Sequence, residues 1–516
     1  MSSEDAQTPV VTLLGDAGTY GASGPVAYRR THISHIFLVG ERAYKLKRAV
    51  AFAFVDFTAL AERRAACAAE LTRNRRTAPE LYLGVCPILR DSTGVLRLGE
   101  LMPDGPAEPA AGTVVDWVVV MRRFDEDQLL ATVANRGDLD AATVDALAEG
   151  VARFHAEAEP VAGGGTAMLA GVVSENDADL RAQPGVFAPT AVDALTRDTR
   201  IALARVAGRL DWRAASGLVR RCHGDLHLGN VVLLNGEPRP FDAIEFSDRL
   251  ACIDVGYDLA FLLMDLDRRG LRPWANRLLT RYLEARDDLG ALAALPVFLS
   301  LRAAIRAKVG AAAPDADGAR LRGLFEAARA YLRPPGPRLL AVGGVSGTGK
   351  TTLARRLAPD VGAVPGAVVV RSDVERKKLF GVGETEPLPE SAYQGRANAR
   401  TYDRMLERAR AVLATGHSAV IEATFLRRED RRRASKLAED LGVPFAGLWL
   451  TGDPEVLCQR VAARSGDASD ATPEVVRGQL QSAPQGPTAW REVDASGDAD
   501  ATEAAARAGL VASSDF

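Results

Sequence analysis

Cysteine is scarce, with five residues in 516, at positions 67, 86, 222, 252 and 458, odd in number and nowhere spaced as Cys-x-x-Cys. This excludes a disulfide framework and a structural zinc site, and leaves small buried thiols in a reducing compartment. An excess of one charge is also missing: 64 Lys and Arg stand against 67 Asp and Glu, for a net charge of -3. No chain-wide basic field is available to hold nucleic acid without sequence preference. Closely spaced aromatics, the stacking platform of single-strand binders, are absent after residue 338. No uncharged apolar run approaches a membrane span. The start, Met1-Ser2-Ser3-Glu4-Asp5, has no basic stretch leading into an apolar one, so the cytoplasm is the expected compartment.

What is present is an ordinary globular composition, 47% apolar and 25% charged, in a chain long enough for two to four folding units. The segment Leu332-Arg333-Pro334-Pro335-Gly336-Pro337 withdraws backbone donors and breaks any helix, which places a linker there and domains at 1–332 and 338–516. In the first, short strands are expected at Val26 to Arg30, Ile33 to Val39 and Ala43 to Arg48, then a helix from Phe57 to Arg76 and a buried strand from Val114 to Met121. Beyond about residue 120 the pattern is mainly helical, apart from a strand-loop-strand island at Val219 to Phe246. In the second, strands at Arg338 to Val342, Val368 to Arg371, Ala419 to Glu422 and Phe445 to Leu450 alternate with helical stretches, the pattern of a parallel sheet. The expected fold is thus an α+β two-lobed, protein-kinase-like domain followed by an α/β P-loop domain with a parallel sheet.

Two residue sets carry the chemistry of phosphoryl transfer, which needs an anion to orient a hydroxyl, oxygen ligands for Mg2+ and a cation on the phosphates of ATP or GTP. The first is His223-Gly224-Asp225-Leu226-His227-Leu228-Gly229-Asn230 with Asp242. Asp225 and Asn230 share one tight loop, and a hairpin through Asn235-Gly236-Glu237-Pro238 can return Asp242 beside Asn230 as a magnesium ligand. Alternation puts Lys45 and Lys47 on one strand face; Lys47 is assigned to the phosphates, with Lys45 as the alternative and Glu70 as the ion-pair partner. The bland readings are a turn with a capping aspartate and a solvated Glu70.

The second set is Gly344-Val345-Ser346-Gly347-Thr348-Gly349-Lys350-Thr351, between a strand and a helix. Gly344, Ser346, Gly347, Thr348, Gly349, Lys350, Thr351 and Thr352 form the phosphate-binding group, with Lys350 on the outer phosphates and the Thr351 hydroxyl on magnesium. Asp373, at the end of the next strand, can accept a proton from an attacking hydroxyl, and Arg376 can clamp an acceptor; a helix cap is the alternative for Asp373. The stretch Ala419 to Phe425 resembles the second nucleotide-binding strand of such sites, with Glu422 where aspartate is commoner. Arg460 and Arg464 suit a mobile lid that brings cations onto the transferring phosphate. The arginines from Arg427 to Arg433 read as a solvated helix face.

On these residues the first half resembles the aminoglycoside phosphotransferase family, in particular bacterial members fused to a P-loop domain. The likeness runs over most of 28 to 310, through Thr31-His32-Ile33-Ser34, Ala43-Tyr44-Lys45-Leu46-Lys47, the Asp225 loop and Phe241-Asp242-Ala243-Ile244-Glu245-Phe246. It implies that Asp225 is the catalytic base, that Asn230 and Asp242 bind magnesium, that Met121 lies at the hinge over the adenine, and that Asp254 and Asp258 are mainly structural. The family's glycine-rich phosphate loop is missing, and Thr31 to Ser34 stands in its place. The second half resembles P-loop small-molecule and polynucleotide kinases, closest to the polynucleotide kinase branch in its Asp373-x-x-Arg376 spacing. Together these imply a tandem phosphotransferase with small hydroxylated acceptors. Two alternatives stand beside it: one domain senses nucleotide and regulates the other, or the P-loop domain is a nucleic acid 5′-hydroxyl kinase.

Overall fold

Strands β1 (Ala27–Arg30), β2 (Ser34–Val39) and β3 (Arg42–Lys47) pair with β4 (Tyr82–Arg90), β5 (Leu96–Leu98) and β6 (Thr113–Arg122) in one antiparallel sheet, ordered β1-β2-β3-β6-β4-β5. The computed structural model describes residues 3–52, 55–109, 111–312, 317–463, 468–483 and 489–511. They form two compact units, one of Met1–Gly165 with Asp211–Leu262 and one of Thr166–Leu210 with Leu263–Phe516.

In the first unit the sheet is covered on both faces, which explains the apolar run Trp117 to Met121 of β6. Helix α1 (Thr8–Gly15) lays Val10 and Leu14 on Phe37, Tyr44, Leu46, Val118 and Val120. Helix α2 (Leu60–Asn74) packs Cys67 and Leu71 on Trp117, Val119 and Met121 from the other side. The helix expected from Phe57 starts only at Leu60, because Phe57 is drawn into a small cluster with Val55 and Ala66 and Ala59 is extended. Asp116, wholly buried in β6, ties both covering layers together by accepting from Arg63 Nε and Gln7 Nε2, each at 2.8 Å. Helix α3 (Ala141–Glu157) is amphipathic and capped by Asp140, whose carboxylate accepts from the Thr143 amide at 2.8 Å.

The strand-loop-strand island is two small antiparallel pairs. Strand β7 (Val219–Arg221) pairs with β10 (Cys252–Asp254), while β8 (Val231–Leu234) and β9 (Glu237–Pro240) form a hairpin. Asn235 and Gly236 both have positive φ, the tight turn that suits strand twist. Helix α4 (Val255–Arg268) follows β10 directly.

The second unit contains helices α5 (Arg272–Arg286), α6 (Leu295–Ala311) and α7 (Gly318–Tyr331), then an all-parallel sheet of β11 (Leu339–Gly344), β12 (Val368–Arg371), β13 (Ala419–Glu422), β14 (Phe445–Thr451) and β15 (Arg491–Asp494). The order β12-β13-β11-β14-β15 puts the strand before the phosphate loop in the middle, buried at every residue. Helices α8 (Lys350–Leu357), α9 (Ser372–Phe380), α10 (Gly395–Ala414), α11 (Arg428–Leu441), α12 (Pro454–Ala462), α13 (Pro473–Ser482) and α14 (Ala499–Val511) surround it. Leu340, Val342, Val369, Val420 and Leu448 meet Leu353 and Leu357 of α8 in the core.

Candidate active sites

The first site grows from the alternation of β3. Tyr44 and Leu46 go to the core, so Lys45 and Lys47 share the opposite face, and wholly buried Glu70 on α2 stands between them. Its Oε1 is 2.8 Å from Lys45 Nζ and its Oε2 is 2.5 Å from Lys47 Nζ. Burial alone would raise the Glu70 carboxyl, but the two ammonium groups overcome this and hold it down at about 2. From there the two lysines diverge. Lys45 Nζ also meets Asp242 Oδ1 at 2.5 Å and lines a cavity of about 260 Å³ with Ile36, Ala43, Met121, Asn230 and Asp242. Lys47 is fully buried behind it, paired with Glu245. Sequence reading put Lys47 on the phosphates; the structure instead places Lys45 in the cleft wall, because Glu245 claims the Lys47 ammonium.

Asp258 builds the Asp225 loop from below. Its two oxygens accept from the His223 amide at 3.0 Å and the Gly224 amide at 2.9 Å, and His155 Nε2 lies 3.1 Å from Oδ2. Gly224 has φ +86° and comes so near Leu250 that a Cβ would sit 2.9 Å from its carbonyl oxygen. His223 is buried against the Phe241 carbonyl at 2.9 Å, and burial lowers its pKa. Asn230 Nδ2 donates to both the Asp225 carbonyl and Asp225 Oδ2 at 3.0 Å, which leaves Asn230 Oδ1 as an acceptor. His227 Nδ1 accepts from the Gly229 amide at 3.0 Å, so the ring proton belongs on Nε2, which lies 3.4 Å from Asp225 Oδ2. His227 is thus a partner of Asp225 that sequence reasoning missed, although it stands inside the motif.

Asp242 adopts φ +60°, sparsely populated for a residue with a side chain. The conformation is held by its own amide donating to Tyr82 Oη at 3.1 Å and by the Ala243 amide donating to Asn74 Oδ1 at 2.7 Å. The Asp242 side chain keeps 43% exposure. A carboxylate and an amide oxygen on one cleft are hard donors that fit magnesium. Where a glycine-rich loop would lie, the β1–β2 turn is pinned: Ser34 N donates to Thr31 Oγ1 at 3.0 Å, and Arg48, itself 2.7 Å from Glu4, donates to the Thr31 and His32 carbonyls.

The second site starts where β11 ends. Gly344, Gly347 and Gly349 have φ of +143°, +86° and +77°, and a Cβ at Gly344 or Gly347 would lie 2.6 Å from the Leu450 or Leu457 carbonyl oxygen. This loop therefore needs glycine for conformation and for space, and its turn feeds straight into α8 at Lys350. Lys350 Nζ donates to the Val345 carbonyl at 3.0 Å, Thr351 Oγ1 donates to Glu422 Oε2 at 3.1 Å, and the Ser346 amide donates to Gln479 Oε1 at 2.7 Å. A cavity of about 690 Å³ joins the loop, including Thr352, to Asp373, Arg376, Glu422, Asp430 and Asp470.

Asp373 sits in the first turn of α9, after an N-cap at Arg371, and is not the cap itself. It is half-buried, and its carboxylate makes no hydrogen bond or ion pair among the described residues. Arg376 is committed elsewhere: it is 4% exposed, donates to the Ala392 carbonyl at 2.6 Å and Asn398 Oδ1 at 3.0 Å, and lies 4.6 Å over the Tyr393 ring. These bonds hold Nη1 and Nη2 while Arg376 lines the same cavity as Asp373. Asp470 is gathered in by Lys377 at 2.8 Å and the Leu388 amide at 3.0 Å. Arg460 binds the Ala495 carbonyl at 2.6 Å, and Arg464 lies outside the described residues.

Residues 111–295 match the family described as phosphotransferase enzyme family, and 339–485 match one described as AAA domain. An uncharacterized protein of Mycobacterium tuberculosis (strain ATCC 25618 / H37Rv) is 33% identical over 462 residues, which cover 87% of this chain and 88% of that protein. An uncharacterized protein of Mycobacterium bovis matches at the same 33% and the same coverage. Among solved structures, a gluconokinase from Sinorhizobium meliloti 1021 is 24% identical, covering 34% of this chain and 93% of its own at a TM-score of 0.25. A choline/ethanolamine kinase family protein from Mesorhizobium loti is 14% identical, covering 64% and 95% at 0.36. Scores of that size bear on neither substrate nor activity. The chain belongs to the family of these mycobacterial proteins and carries, in tandem, a phosphotransferase-family domain and a P-loop kinase-family domain.

Proposed function

We propose that the protein is a tandem phosphotransferase using ATP or GTP with Mg2+, with residues 1–332 phosphorylating a hydroxyl of a small polar molecule and residues 338–516 acting on a second acceptor or on the first product. The observation that carries the reading is the convergence of Lys45, Asn230 and Asp242 on one cleft, with Asn230 hydrogen-bonded to Asp225. In the first site Asp225 takes the acceptor proton, Asn230 Oδ1 and Asp242 hold the metal, Lys45 neutralises phosphate charge with Glu70 fixing its position, and Met121 closes the cavity. In the second, the loop amides and Lys350 hold phosphates, Thr351 and Glu422 serve the metal side, and Asp373 is the base. Magnesium, when bound, neutralises charge developing on the transferred group. The five cysteines are all free thiols, and no described helix is long and apolar enough to cross a membrane, in keeping with a cytoplasmic enzyme.

Asp225→Ala and Lys350→Ala, assayed separately for nucleotide consumption over a metabolite panel, test this. Each variant is expected to lose one acceptor-dependent activity and keep the other. Loss of all turnover in Lys350→Ala with none in Asp225→Ala would favour the second reading, in which the first domain senses nucleotide, a role suited to its pinned β1–β2 turn. Phosphorylation of oligonucleotide 5′ ends in the same panel would point to a nucleic acid kinase.

A further inference from the structure

Within the second unit, a chain of charged groups leads from the phosphate loop to helix α5. Thr351 Oγ1 donates to Glu422 Oε2 at 3.1 Å, and Glu422 Oε2 lies 3.6 Å from Arg371 Nε. Arg371 and Glu422 are register partners at the ends of neighbouring parallel strands, 2% and 3% exposed. Arg371 Nη1 then meets Glu384 Oε1 at 3.0 Å, and Glu384 Oε2 meets Arg281 Nη1 on α5 at 2.5 Å. Arg281 also holds Glu284 at 2.9 Å. The helix is fastened in place, since Asn276 Nδ2 donates to the Ala367 carbonyl at 2.9 Å and Lys378 Nζ to the Glu284 carbonyl at 2.7 Å.

We propose that Arg281 and Glu384 are positioning residues of the P-loop site, setting how much of the Arg371 cation is available to Glu422. The proposal rests on the kinase reading of that site and adds to it: Arg281 lies in the stretch matched by the phosphotransferase family, yet it serves the metal side of the P-loop half. The physical reason is competition. Glu384 holds Arg371 Nη1 at 3.0 Å while Glu422 lies 3.6 Å from Nε, the longest contact in the chain, so the position of the guanidinium is shared unequally between the two carboxylates, and Lys350 is the other cation near Glu422. Arg281 neutralises Glu384, which otherwise pulls Arg371 away. Removing Arg281 leaves Glu384 to draw the Arg371 guanidinium towards itself and away from Glu422, with Arg355 the remaining cation near Glu384 and Lys350 the remaining one near Glu422. Removing the Glu384 charge does the opposite.

The test is titration of the full chain with a fluorescent ATP analogue, with Mg2+ and with EDTA, taking as the P-loop component the binding lost in Lys350→Ala. Arg281→Met is expected to weaken that component by about tenfold in Mg2+ and to leave it unchanged in EDTA, since only the metal side is disturbed. Arg281→Lys should hold close to wild type. Glu384→Gln should bind as tightly as wild type or tighter, and adding it to Arg281→Met should restore binding. Equal losses in Mg2+ and EDTA, or losses that add in the double variant, would reduce both residues to scaffold and overturn the proposal. Wild-type titration by Arg281→Met would overturn it as well. If Lys350→Ala removes no component, it is the P-loop reading that fails, and the inference falls with it.

Discussion

The Lys45 ammonium lies 2.5 Å from Asp242 and 2.8 Å from Glu70, so one cation joins β3, α2 and the loop after β9. Lys47, two residues on, bridges Glu70 and Glu245 with no exposure. One network thus holds a lysine facing the cleft and a lysine facing the interior.

These positions give the two lysines different phenotypes. Lys45→Met is expected to weaken nucleotide binding at the first site by about tenfold or more, the loss of a charge-assisted phosphate contact. Lys47→Met leaves buried Glu245 without its ion-pair partner, Glu70 keeping Lys45, and is expected to cost about 3–5 kcal/mol of stability. Urea unfolding together with nucleotide titration separates the two. A Lys47→Met variant of wild-type stability that binds nucleotide poorly would reverse the assignment.

What the sequence discloses here is what lies close together in it. Asp225 and Asn230 share one loop, and Gly344 to Thr351 form one turn, so spacing alone constrains their geometry. The choice between Lys45 and Lys47 is made by Asp242 and Glu245, which approach from 197 and 198 residues away, and alternation cannot see that. The distance of Arg376 from Asp373 suits a clamp, yet Ala392 and Asn398, on the following segments, engage its Nη1 and Nη2. The strands of the parallel sheet were legible because their apolar runs are short and bounded. The start of α2 was not, since the packing of Phe57 decides it.

Acid should act on the second unit through His417. Its ring is buried against the Gly366 carbonyl at 2.8 Å, and burial pulls its pKa from 6.5 down to about 4. A folded-state value below the unfolded one means that stability is complete above about pH 6.5 and is lost as the pH falls towards 4, because the unfolded chain takes up the proton first. One such group steepens the loss by at most about 1.4 kcal/mol per pH unit. His417→Gln keeps a donor for the carbonyl and cannot titrate, so its stability profile between pH 6.5 and 4 is expected to be flatter than wild type in chemical denaturation. Parallel profiles would mean that the imidazole is not held neutral.

The phosphate loop has a protein group on one of its amides. Gln479 Oε1 accepts from Ser346 N at 2.7 Å, taking a bond of the kind a phosphate oxygen takes in such loops. Nucleotide therefore has to displace the Gln479 side chain. Gln479→Ala removes the competitor, and one neutral hydrogen bond corresponds to about two- to tenfold tighter nucleotide binding. Gln479→Glu is expected to move the other way, since a carboxylate binds the amide more strongly and repels the incoming phosphates. Both are read by nucleotide titration of the component that Lys350→Ala abolishes. Weaker binding in Gln479→Ala would mean that this side chain belongs to the nucleotide contacts, and that the hydrogen bond to Ser346 is where it rests between turnovers.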